Sequence, residues 1–332
     1  MPTGRLVCSL VTPVECDIKM QSRRNICELR AVRTLVVLTI AFIGVAFTQP
    51  AAAQQGGIEL LAPEMLFARG IRVSLTGISR VDNQAFSGSD DVTDPLSRRF
   101  EETTTVLGLD YGIRADLSVS LLVPHSSKEL RSGGTTQSAD GLGDIAFLTK
   151  YRVWKTDWFR SAAQMVVYGG IEMPTGESRE TENGVRLSHR VQPGRGAWNP
   201  MVGLAANLEL DRWRFDLSTL YKFNQNGTGR RRGDSFFVEV DGAYRFWHEP
   251  YPGPSASIKV GLRYSYAEHA RLTGTTIDNS GFDLVTVHPG MTFHFTPATT
   301  VKFSYDIPIY RDYNGTQLAF ERRFAVAFGM RF

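Results

Sequence analysis

The chain has 332 residues, 42% hydrophobic and 21% charged, with 31 glycines, 11% aromatics and a formal charge of +3. That balance argues against a surface built for nucleic acid or an acidic partner, and past the N-terminal segment no stretch reaches the roughly 18 uninterrupted apolar residues of a membrane helix. A mean hydropathy of −0.17 does not exclude a membrane barrel, because alternating strands average to neutral.

The N-terminus reads as a targeting segment. Arg23, Arg24, Arg30 and Arg33 form a basic region, Thr34 to Phe47 an apolar one, and Ala51-Ala52-Ala53 a small-residue cleavage site. Residues 1–53 are therefore expected to be a signal peptide, with Met20 the candidate true start. Cys8, Cys16 and Cys27 all lie within it. The mature chain then has no disulfide, thiolate metal site or cysteine nucleophile. Removing six basic and three acidic residues from 37 and 34 leaves 31 of each.

Residues 54–69 read as a short periplasmic lead, and 70–332 as one domain. Twelve strands are expected, approximately 70–83, 100–112, 117–128, 144–155, 161–175, 199–210, 213–224, 234–246, 257–269, 281–295, 300–312 and 318–332. Short turns follow the even-numbered strands. Longer connections rich in Gly, Ser, Thr and Asp follow the odd-numbered ones, the largest being 87–99, 129–143 and 176–198. An even count with alternating short and long connections is the pattern of an up-and-down transmembrane antiparallel β-barrel with both termini in the periplasm.

The faces carry the same reading. Phe320, Phe324, Val326, Phe328, Met330 and Phe332 fall on the outer face, with Arg322 the exception, and Glu321, Arg323, Ala325, Ala327, Gly329 and Arg331 on the other. Trp213, Phe215, Leu217 and Tyr221 alternate with Arg214, Asp216, Ser218 and Lys222, and the strands at 257–269 and 300–312 do likewise. Tyr111, Trp154, Trp158, Trp213, Phe246, Trp247, Phe295 and Phe332 gather at the short-turn end, as an interfacial girdle would. Inward parity collects Lys150, Arg152, Arg214, Lys222, Arg245, Lys259, Arg263, Lys302, Arg323 and Arg331, against Asp216, Glu239, Asp241, Asp306 and Glu321. Ten basic groups against five acidic ones imply a lumen that favours anions, carried by Arg214, Lys259, Arg263 and Lys302; interior ion pairs bracing the wall are the alternative.

Other motifs add little chemistry. Gly141-Leu-Gly-Asp144 precedes no helix, so it reads as re-entry into a strand and not as a phosphate cradle. His288 and His294 share a face but lie six residues apart, roughly 20 Å, too far for a joint metal site. A twelve-stranded membrane phospholipase would need a Ser beside a His at the lipid face. Ser265 and Ser304 face inward, so no enzyme is expected, and nothing calls for a cofactor or metal. Arg230-Arg231-Arg232 reads as a solvated loop, with attraction for an acidic solute or lipopolysaccharide sugars as the alternative.

Several stretches resemble one family. They are Gly141-Leu-Gly-Asp-Ile145 with Lys150-Tyr-Arg152, Met173-Pro-Thr-Gly176, Asn199-Pro200, His288-Pro-Gly-Met-Thr292, Ile307-Pro-Ile-Tyr310, Asn314-Gly-Thr-Gln-Leu318 and the terminal Phe332. Together, over about 107–332, they are similar to the outer-membrane transporters of the phenol-degradation (MetA-pathway) family, distantly like the fatty-acid and toluene channels. The resemblance implies passage of small, often aromatic or hydrophobic molecules through the bacterial outer membrane. It also implies that Phe332 is the signal read by the barrel-assembly machinery. Unlike the fatty-acid channels, the chain shows no long N-terminal hatch. The expected function is passive or facilitated passage of a small solute; a closed structural or surface-interaction barrel is the alternative. The expected surroundings are lipid and lipopolysaccharide.

Overall fold

In the computed structural model residues 63–332 are described, so the expected signal peptide and most of the lead lie outside the described residues. Twelve long strands build the wall: β1 (Ile71–Asp82), β2 (Arg99–Arg114), β3 (Leu117–Ser132), β4 (Ala146–Trp158), β5 (Ser161–Glu172), β6 (Asn199–Leu210), β7 (Trp213–Lys222), β8 (Ser235–His248), β9 (Ser255–Ala267), β10 (Phe282–His294), β11 (Thr299–Ala319) and β12 (Arg322–Arg331). Each pairs antiparallel with its chain neighbours. β1 and β12 close the cylinder, in register from Arg72 opposite Arg331 to Val81 opposite Arg322. Closure leaves no unpaired sheet edge, which hydrocarbon would not tolerate. The twelve residues of β1 rise about 40 Å, or about 28 Å at a 45° tilt, matching the ~25 Å apolar band of such barrels.

The outer face is a lateral apolar row. Leu217, Val240, Leu262, Val287 and Ile307 stand in successive register across five strands. Val240 and Leu262 are more than half exposed. A soluble protein would bury such a row. All eight aromatics of the short-turn girdle are exposed at that end.

The strand ends differ most from the sequence expectation at the long loops. The segment expected as a loop after the eleventh strand continues β11 to Ala319, because Gln84–Gly88 supplies a partner ladder. Thr135–Leu142, read as loop, pairs back onto β3. Phe320, assigned by alternation to the outer face, is buried, since the chain leaves the ladder between Ala319 and Arg322.

Two segments fold into the cylinder. The described part of the lead, from Pro63, tucks under the short-turn end: Pro63 and Leu66 are buried, and the Pro63 carbonyl accepts a bond from Gln164 of β5. The β5–β6 connection enters from the long-loop end, burying Leu187, Val191 and Gln192. Asp144 clamps both feet of that connection, accepting from the Gly176 amide at 3.0 Å and the Arg195 amide at 2.7 Å. Gly194 can cross Gly176 there only without a side chain: its Cβ would lie 2.5 Å from the Gly176 carbonyl carbon. This gives the Gly141-Leu-Gly-Asp144 and Met173-Pro-Thr-Gly176 motifs a loop-holding role.

Candidate functional site: the lumen

Twelve strands lie between the eight whose interior is filled by side chains and the sixteen that leave an aqueous channel. Here the lumen holds a lower cavity at the short-turn end, an upper vestibule at the long-loop end, and a packed waist between them.

The waist has two unlike halves. On β8 to β12, Arg263 donates from Nε to Glu239 at 2.6 Å and from Nη1 to Asp306 at 3.1 Å, while Arg323 also bonds Asp306. His288 Nε2 meets Asp241 at 2.7 Å and lies 3.4 Å from Glu239. Gly261, between Asp241 and His288 in register, permits that contact, since a Cβ there would sit 2.0 Å from the Asp241 carboxylate. On β2 to β8 Val106, Leu122, Leu148, Tyr168, Met201, Ala205, Leu220 and Phe237 pack as one apolar cluster. Inward parity did not reveal this cluster, because the sequence reading followed only the charges.

Glu239, Asp241 and His288 lie close enough for one metal ion. Lys259, 3.2 Å from Asp241, and Arg263 on Glu239 already supply positive charge to those carboxylates. His294 is apart from them, bonded to Thr300 at the short-turn end.

The lower cavity, of about 150 Å³, is lined by Arg214, Asp216, Glu239, Asp241, Arg245, Lys259, Arg263, Lys302 and Arg323 among others. The expected basic ring is therefore brought together, but acids take up its charge. Arg214 reaches Glu64 at 3.0 Å, Glu209 at 3.2 Å and Asp216 at 2.8 Å. Glu64 also bonds Arg331 at 3.1 Å and lies 3.8 Å from Arg72. Lys302 foremost, then Arg214, Arg331 and Arg72, hold the Glu64 carboxyl well below its usual range despite burial. The ten-to-five ledger missed Glu64 because the lead was placed outside the barrel.

The remaining expected lining residues lie elsewhere. Lys150 is 1% exposed on β4, in electrostatic reach of Asp110. Arg152 donates to Gln164 at 3.4 Å. Lys222 is buried against Glu172 at 2.5 Å near the vestibule. Asp306 is buried within the waist, and Glu321 sits on the long-loop rim with Arg322. Phe332 is 61% exposed, its backbone paired with Ile71.

The upper vestibule, of about 410 Å³, was not anticipated. Arg80, Arg98, Lys128, Arg190, Arg195, Arg230 and Arg232 line it, against only Glu102 and Glu268. Arg80 and Arg190 share buried Asp82 behind it. Arg190 lies 4.8 Å over the Phe100 ring, and Arg80 5.5 Å from the Phe320 ring. Alternation on β1 to β3 could have found Arg80, Asp82, Glu102 and Lys128. No periodicity could have found the loop arginines.

Comparison with known proteins yields these findings. Residues 87–319 match the family described as "Putative MetA-pathway of phenol degradation". An outer-membrane channel from Pseudomonas putida F1 superposes with a TM-score of 0.62 at 15% identity, over 84% of this chain and 100% of that one, a likeness of fold. Weaker likenesses are the β domain of the Bordetella autotransporter BrkA (0.45, 10% identity, 80% and 100% covered) and the monoaromatic hydrocarbon channel CymD (0.38, 8% identity, 80% and 89% covered). No curated protein matches.

Proposed function

Since the chain belongs to the family described as a putative MetA-pathway of phenol degradation, we propose that it is a channel in the outer membrane of a Gram-negative bacterium, passing small solutes that include aromatic or hydrophobic compounds and small anions. The observation that carries this reading is a closed barrel with an apolar outer row and a cavity on each side of the waist. In this reading the long loops face outside and the short turns and both termini face the periplasm, with Phe332 as the assembly signal. A solute enters the vestibule, passes a waist that offers ion pairs on one side and apolar side chains on the other, and leaves past the lead. Selection follows from width and lining charge, and no catalytic step is needed.

One observation favours a closed structural barrel instead: the two cavities share no lining residue. Refolded protein in planar bilayers decides between them. The channel reading expects discrete conductance steps and a reversal potential of anion-selective sign under a salt gradient. Absence of conductance from a barrel that keeps its heat-modifiable mobility would establish the closed reading.

A further inference from the structure

The Arg230-Arg231-Arg232 run does not lie in solvent as a unit. Backbone pairing fixes it: Asn226–Gly227 pairs with Arg230–Arg231, which pairs in turn with Arg271–Leu272. Extended residues alternate faces. Arg231 turns to Asp234, at 3.1 Å from both carboxylate oxygens, while Arg230 and Arg232 both line the vestibule. Arg195 reaches the same space from the β5–β6 connection, its amide anchored by Asp144. All three arginines also line a smaller adjoining pocket of about 30 Å³.

Two of these guanidinium groups lack anions. Among the described residues Arg230 and Arg232 have no carboxylate within ion-pair distance, and the Arg230 Nε is buried without a partner. The nearby acids are committed. Glu172 holds Lys222 at 2.5 Å and Asn199 at 2.8 Å, with Arg195 only at 3.8 Å; Glu102 holds Lys128 at 3.4 Å. Arg195 foremost, then Arg230, crowd Arg232 and press its pKa down, although its side chain remains exposed to the vestibule. A guanidinium gives up its proton reluctantly, so the relief this cluster calls for is an anion. Planar guanidinium donors suit a planar, two-oxygen acceptor. Phe100, Phe282, Phe320 and Tyr313 supply aromatic wall to the same cavity, whose volume of about 410 Å³ falls within the roughly 300–1,000 Å³ of small-molecule sites.

We infer that Arg195, Arg230 and Arg232 form a saturable binding site for the carboxylate of a small aromatic acid, with the ring held by the aromatic wall of the vestibule. This rests on the channel reading and deepens it: the site would gather the solute at the mouth before passage.

The test is calorimetric titration of the full refolded barrel in detergent with benzoate, benzyl alcohol and sodium phosphate at equal ionic strength. Benzoate is expected to saturate one site, and the neutral alcohol and the ringless phosphate to bind at least tenfold more weakly. The variant R195Q/R230Q/R232Q should weaken benzoate at least tenfold. A charge-matched variant at exposed positions, R114Q/R131Q/R160Q, should change it less than twofold. Equal weakening by the two variants, or an unchanged affinity in the first, overturns the site. Phosphate binding as tightly as benzoate overturns the aromatic assignment. Conductance without saturable benzoate binding refutes the site and spares the channel; binding without conductance does the reverse. Heat-modifiable mobility of each variant confirms that the barrel has folded.

Discussion

At the short-turn end of the lumen seven arginines and lysines face six carboxylates across about 150 Å³; at the long-loop end seven face two across about 410 Å³. The basic count is the same, and the difference lies in where the acids come from. Below, Glu239 stands opposite Arg263 in register, Asp216 takes Arg214 on its own strand, Asp241 takes Lys259 from the neighbouring one, and the lead brings Glu64 into the remaining gap. Above, Asp82 takes Arg80 and Arg190, Asp94 takes Arg98, Glu102 takes Lys128 and Glu172 lies 3.8 Å from Arg195, and one loop adds Arg230 and Arg232 without acids to match. A buried charge must be paired to be tolerated, so the lower set braces the wall. In the upper set Arg230 and Arg232, with Arg195 only at 3.8 Å from Glu172, are left for a ligand.

The largest expected effect breaks the braced end. Asp306 is shared by Arg263 and Arg323 at 2% exposure. Asp306→Ala strands Arg323 and leaves Arg263 with Glu239 alone, and removing one partner of a buried pair costs about 3–5 kcal/mol. Urea unfolding in lipid vesicles, followed by tryptophan fluorescence, should show a loss of that order; a loss below about 1 kcal/mol would mean the waist is screened like a surface.

Next comes the lead. Glu64→Gln removes the anion that Lys302, Arg214, Arg331 and Arg72 share, so the lead should undock and single-channel conductance should rise at least twofold. The wild type should follow pH with a definite sign. The folded carboxyl titrates below its unfolded value, so docking is in full force above the ordinary Glu pKa of about 4.3 and is lost only as pH falls through the lower folded value. Protease accessibility of residues 63–68 should therefore stay low from pH 7 to about pH 4.3 in the wild type and be high throughout in the variant. Undocking of the wild type near neutral pH would contradict this assignment.

The smallest effect sharpens the other side. Arg232→Gln removes one of the three crowded cations, so stability should stay level or rise by less than about 1 kcal/mol, since Arg232 is exposed and solvent screens the repulsion. The same unfolding assay would refute the unpaired account if this variant lost stability as Asp306→Ala does.

Much of the barrel was legible because parity is a local property. Val240 and Leu262 alternate with Asp241 and Arg263 in sequence, and the faces follow without knowledge of the partners. The extension of β11 to Ala319 was not legible, since its partner Gln84–Gly88 lies far away in the chain. The same limit governed the lumen. Parity placed Arg214 and Lys302 inside, yet the carboxylate both act on is Glu64, from a segment with no periodicity. Arg195, Arg230 and Arg232 meet only because two loops fold inward, which spacing cannot show.

The most direct test of the asymmetry is the reversal potential under a potassium chloride gradient, measured in planar bilayers for the wild type, for R195Q/R230Q/R232Q and for R214Q/K259Q/R263Q/K302Q. Anion preference should be lost in the vestibule variant. The lower variant exposes Glu64, Glu239 and Asp241 and should swing to cation preference only if it folds. A vestibule variant that keeps the wild-type reversal potential would contradict the account.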